Sequence, residues 1–256
     1  MQRIIPILIF SFLTLLSCHN DNDDVTTQVN ATFNFTHNWD GASVTNANFN
    51  TIQYTNANGE QLSITKLRYL ISKITFQKSN GEKITLDGYN LIDVTNNSNF
   101  SFTPTSSIPT GEYSKVSFTF GFNNDDNYND NYTDLNSASW NVPAMLGGGY
   151  HYMQFEGKFI NNTAIETGYA YHAIRAVDNS KTPQEFQDTF FEVDLGAVSI
   201  TNARVFNIEM NIAEWFKNPN TWDLNVLNNM LMPNFNAQVM MFENGQNVFS
   251  LKSVTP

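Results

Sequence analysis

Short runs of alternating apolar and polar side chains recur along most of this chain, and they narrow its fold more than any other feature. In residues 31–37, Phe33, Phe35 and His37 alternate with Thr32, Asn34 and Thr36. Side chains two apart share one face of a strand, so the run reads as a strand with one apolar face. Residues 63–77 carry Ile64, Leu67, Tyr69, Ile71 and Ile74, and Asn80-Gly81 then turns the chain into residues 82–86. An Asn-Gly pair between two such runs is a hairpin signal, because a tight hairpin turn needs positive φ at its centre. Further strands are expected over 90–94, 113–122, 149–160, 168–177, 190–195 and 203–212. The sum is one all-β domain, an antiparallel β-sandwich or an open barrel, of which the sandwich is the expectation. Two short helices are expected near its C-terminus, over 213–217 before Pro219 and over 233–243, where Phe235, Val239 and Phe242 fall at helical spacing, with a hairpin around Asn244-Gly245 as the competing reading of that last stretch.

The first residues read differently. Arg3 precedes an apolar stretch over 4–16, too short to span a bilayer, which ends in Leu15-Leu16-Ser17-Cys18. Cys18 is the chain's single cysteine. The pattern resembles a bacterial lipoprotein signal, cleaved before a Cys that is then lipidated. Residues 1–17 are therefore expected to be a signal peptide and 18–28 an acidic tether, similar to the export signal of some Bacteroidetes lipoproteins. The folded domain is then 29–256. Acyl chains on Cys18 would be its only link to the membrane. That predicts an outer-membrane lipoprotein facing the periplasm or the cell surface.

Charge and cysteine content exclude other classes. With 13 Lys+Arg against 24 Asp+Glu the formal net charge is −11, which repels nucleic-acid phosphates. One Cys permits neither a disulfide scaffold nor a thiolate cluster. No Gly-x-Ser-x-Gly elbow is present, and no nucleophile–base pair stands out, so catalysis is not expected.

His37, His151 and His172 lie in predicted strands. Alternation groups His37 with Phe33 and Phe35, His151 with Met153 and Phe155, and His172 with Ala170 and Ile174, so all three are expected on inward faces. Converging there, neutral imidazoles would suit copper or zinc, with Met153 as a soft ligand for Cu(I). Three separate core histidines bonded to backbone is the alternative. Asp125, Asp126, Asp130 and Asp134 crowd one Asn-rich loop and suggest calcium. The spacing excludes an EF-hand, because Asp130 and Asn136 stand where Gly and Glu belong. An irregular calcium site and a solvated loop both stay open. Gly147-Gly148-Gly149 reads as close backbone approach or a bend. Met230, Met232, Met240 and Met241 suit either soft metal or core filling. Trp39, Trp140, Trp215 and Trp222 suit either core packing or stacking on sugars. A surface glycan-binding or envelope-interaction lipoprotein without metal is thus the rival reading.

Several segments together resemble the MbnP-like family of copper-associated extracytoplasmic proteins. They are Phe33-Asn34-Phe35, Thr65 to Ile74, Tyr89 to Asp93, Pro109 to Tyr113 leading to Phe118-Thr119-Phe120-Gly121, and Asn247-Val248-Phe249. Most telling is Gly149-Tyr150-His151-Tyr152-Met153-Gln154-Phe155-Glu156-Gly157 followed by Tyr171-His172. The resemblance implies a copper-binding β-sandwich. In some members it implies a dihaem peroxidase-like partner that oxidises a Trp to kynurenine near the metal. His151 and His172 match positions suited to the metal site, His37 less closely. Val142, Ala144 and Leu146 occupy the stretch where the family's Met and Trp are expected, and Trp140 is out of register. That departure bears on the oxidised Trp and on the peroxidase partner. The expected function is copper carriage or storage through His37, His151 and His172.

Overall fold

The computed structural model describes residues 26–256. The signal peptide, Cys18 and most of the tether lie outside the described residues. Two sheets pack face to face. The larger is built around β2 (Gln61–Gln77), whose ladder runs β6-β5-β2-β4-β7, with β3 (Tyr89–Asp93) also pairing β2; here β4 is Lys115–Phe120, β5 Met153–Ile160, β6 Glu166–Ala173 and β7 Phe191–Asp194. The smaller sheet runs β9-β8-β1, from Phe249–Thr255, Arg204–Asn211 and Ala31–Trp39. Every pair named here is antiparallel except β1 with β8, which run parallel. That pair departs from the all-antiparallel expectation.

The alternation read in the sequence explains the core. Phe33 and Phe35 of β1 and Phe206 of β8 face Phe76, Tyr69 and Phe118 of the large sheet. Phe33 stacks on Phe206 at 4.8 Å and meets Phe76 edge-on at 6.4 Å, while Phe35 meets Phe118 edge-on at 5.9 Å. Aromatic pairs at such spacings add to the stabilisation from burying their area. The Asn80-Gly81 hairpin is formed, with Gly81 at φ +88° and Lys78 N–H donating to the Glu82 carbonyl. The helix expected over 213–217 is a 3₁₀ turn that starts and ends one residue earlier (Ile212–Phe216), and the last helix is α2 (Phe235–Gly245), capped by the Asn234 side chain on Ala237 N–H. A five-residue helix, α1 (Thr133–Ser137), was not anticipated.

The outer face of the large sheet is covered as well, and this decides where the site lies. Residues 123–150 fold back over it and bury Leu70, Phe122, Leu135, Trp140 and Tyr150 in a second apolar cluster. The excursion is fastened by its own asparagines. The Asn129 side chain accepts from Gly149 N–H at 2.6 Å and the Asn127 side chain from Tyr150 N–H at 2.8 Å. Gly148 and Gly149 have φ of +69° and +74°, and a Cβ at either would lie within 2.5 Å of one of those amides. The glycine run is therefore a place of close approach.

Candidate functional site

His172 sits on β6 opposite Gln154 of β5, which lies opposite Arg68 of β2. Their strand neighbours Tyr171, Phe155 and Tyr69 belong to the core between the sheets. Alternation therefore sends His172, Gln154 and Arg68 to the outer face. His151 precedes β5. Both Tyr152 and Met153 enter the main core, which breaks the alternation and leaves His151 free to turn outward. Its ring meets His172 at 5.3 Å between centroids and 82° between planes, and meets Trp140 at 5.7 Å.

Hydrogen bonding assigns the open nitrogens of this pair. His151 Nδ1 is 2.9 Å from the Trp140 carbonyl. A carbonyl only accepts, so Nδ1 carries the proton and Nε2 presents a lone pair. That Nε2 is buried and has no hydrogen-bond partner. Burial holds the imidazole down to about pKa 4, against an ordinary 6.5, so it is neutral near pH 7. His172 Nε2 is 2.8 Å from Glu156 Oε1, which also accepts from Lys66 Nζ at 2.8 Å. The His172 bond, against the opposing effect of burial and with help from Lys66, holds Glu156 down to about pKa 2. A carboxylate that accepts from Nε2–H leaves Nδ1 as the ring nitrogen of His172 that can face a metal. Carboxylate and carbonyl partners behind two imidazoles are what orients metal-binding histidines. Two imidazoles sharing one ion at metal–nitrogen distances of about 2.0–2.1 Å bring their ring centres to roughly 5–6 Å, and this pair stands within that range.

Arg68 completes the surroundings. Its guanidinium lies 4.9 Å over the Trp140 ring and donates to Gln154 Oε1 and the Ala138 carbonyl. The Gln154 amide in turn donates to the Ser139 carbonyl. These bonds tie residues 138–151 down onto the sheet.

Three expectations are corrected. Alternation expects all three histidines inward, but only His37 is. It is buried with its Nε2 3.0 Å from Tyr69 Oη and its ring beside Phe100, between the sheets and across β2 from the pair. It does not join them. Met153 is likewise fully buried in the inter-sheet core, opposite Tyr69, so it is not a ligand on the face of the pair. The calcium loop is dispersed: Asp126 pairs with Lys73 at 2.7 Å and Asp134 accepts from the Tyr89 hydroxyl, while Asp125 and Asp130 are exposed. Among the described residues no group of three or more His, Cys, Asp or Glu is arranged around a common point.

The four tryptophans are all buried, so no indole face is open for stacking on a sugar. Trp140, out of register in the sequence, is brought against His151. Sequence reasoning missed Glu156 as the partner of His172. The signal was present, since antiparallel pairing of β5 with β6 sets the two residues two positions apart across the ladder.

The fold and site define an all-β sandwich with a histidine pair on the covered outer face of its larger sheet. The MbnP family model matches residues 27–240, and the chain belongs to that family. The fold is also that of MbnP from Methylosinus trichosporium, with a TM-score of 0.51, 12% sequence identity, and coverage of 78% of this chain and 80% of that one. No curated protein sequence matches the chain.

Proposed function

We propose that this protein is an extracytoplasmic copper carrier or store, and not an enzyme, and that it holds the ion between His151 Nε2 and His172 Nδ1. One observation carries the reading: a buried, neutral, unpartnered imidazole nitrogen stands beside a second imidazole whose other nitrogen is fixed by a carboxylate. An unpaired buried acceptor costs about 1–3 kcal/mol, and a bound cation removes that cost. The acidic surface favours cation approach. The leader ending at Cys18 supports lipid anchoring in the outer membrane. Trp140 is the indole on which a dihaem peroxidase-like partner would act, and the intact mass of protein co-produced with such an enzyme tests for its oxidation.

The deciding experiment is copper content after loading and desalting, for the native protein and for His151→Ala/His172→Ala. One copper per native chain and none in the variant is the expected result. Stoichiometric copper retained by the variant refutes the assignment.

A further inference from the structure

Beside His172 lies a cleft of about 340 Å³ whose lining includes Met145, Met230 and Met232 together with His172. Two of these thioethers are presented to solvent: Met145 is 74% exposed and Met230 75%. A single exposed methionine needs no explanation, but three around one opening beside an imidazole form a recognisable donor set.

The fold holds the walls in place. Met145 belongs to a 3₁₀ turn (Ala144–Leu146) whose next residue, Leu146, is buried against Ile174 and Val177, with Met232 packed on the same cluster. Across the opening, the segment carrying Met230 and Met232 is pinned to the edge strand β6. Ala170 N–H donates to the Asn228 carbonyl at 2.8 Å. Gln238 of α2, itself buried, uses its amide nitrogen to donate to the carbonyls of both His172 (2.8 Å) and Leu231 (3.0 Å), and its oxygen accepts from Ile174 N–H. One side chain thus pairs the end of β6 and fixes the methionine segment against it.

We infer that this cleft is a Cu(I) site, with thioether donors from Met145, Met230 and Met232 and access to the imidazole of His172. Soft thioethers select Cu(I) over Cu(II), whereas imidazole takes either. The inference rests on the copper reading of the histidine pair in that both use His172, and it adds the oxidation state and the point of entry. Cu(I) first meets the exposed methionines and reaches the buried His151 through the partly exposed His172, the one residue common to both sites. The flexible, unbranched methionines suit such transient binding.

The test is titration of the protein, its methionine methyl groups labelled with ¹³C, with Ag(I) as the probe and anaerobic Cu(I) in parallel. A second preparation carries Met145→Leu/Met230→Leu/Met232→Leu, substitutions that keep volume and apolarity and so keep the fold. The expected result is that the Met145, Met230 and Met232 methyl resonances shift while that of Met153 stays fixed. In the variant, Cu(I) affinity should fall with Cu(II) binding unchanged. Copper retained through His151 and His172 with no shift of the three methyls overturns this inference and leaves the histidine site standing. No binding of either ion overturns both.

Discussion

Glu156 Oε1 lies 2.8 Å from His172 Nε2 and 2.8 Å from Lys66 Nζ, so one carboxylate oxygen fixes the orientation of the imidazole and is itself held by an ammonium. Losing such a partner lowers metal affinity by about 10–100-fold in other sites. Glu156→Gln removes the charge while keeping the shape. The expected outcome is a loss of copper affinity of about 10-fold or more, together with a drop in thermal stability at neutral pH, because the folded chain favours the ionised carboxylate. Competition titration against a chromophoric chelator measures it, and unchanged affinity would remove Glu156 from the site.

His37→Ala separates the core histidine from the pair. It leaves the buried Tyr69 hydroxyl without its partner, at a cost of about 1–3 kcal/mol, plus the loss of ring packing against Phe100. Copper stoichiometry should stay at the native value. Denaturant unfolding and metal analysis of the same preparation give both readings; copper lost from a folded variant would restore His37 to the ligand set.

Acid should destabilise the metal-free protein in a defined window. His37 and His151 are held near pKa 4 in the folded chain, mainly by burial, against 6.5 when unfolded. As pH falls the unfolded chain takes up these protons first. Stability is therefore complete above pH 6.5 and is lost between 6.5 and 4, on the order of 3 kcal/mol for each residue. Glu156, held down to about 2 from 4.5, gives a further loss confined to the range below 4.5. Unfolding free energies at pH 7.5, 5 and 4 test the order, and His151→Asn should remove its share of the first step. A flat profile from pH 7.5 to 4 contradicts the burial of two neutral imidazoles.

Gly157→Ala should be the most damaging single methyl near the site. The β5–β2 register slips between Glu156 and Gly157, and a Cβ at Gly157 would lie 2.0 Å from the Ser63 carbonyl and 2.6 Å from Tyr169 Oη. Backbone on one side and a buried tyrosine on the other leave no room to yield. A destabilisation of about 3 kcal/mol or more is expected, with copper affinity weakened in parallel as Glu156 is displaced. Thermal melting and metal content check this, and a variant of native stability would contradict the close approach.

Period-two patterning made the strands legible from the chain alone, from β1 through β8, and the Asn-Gly hairpin with them, because alternation and turn chemistry are local properties. For His172 the sequence also showed which residues share its face, since it does lie with Ala170; for His151, grouped with Met153 and Phe155, it did not. Nor did it show what the face of His172 meets. Both surfaces of the large sheet are covered, one by β1 and β8 and the other by residues 123–150 and the methionine segment, so apolar neighbours marked two interiors and not one. Only the tertiary structure separated them. It placed His37 and Met153 between the sheets, turned His151 outward where Tyr152 and Met153 interrupt the alternation, and set Glu156 and Trp140 beside the pair. Strand periodicity reports the side of a sheet on which a residue falls; the layer that covers that side comes from segments distant in sequence, and their docking depends on packing and hydrogen bonds that no local pattern encodes.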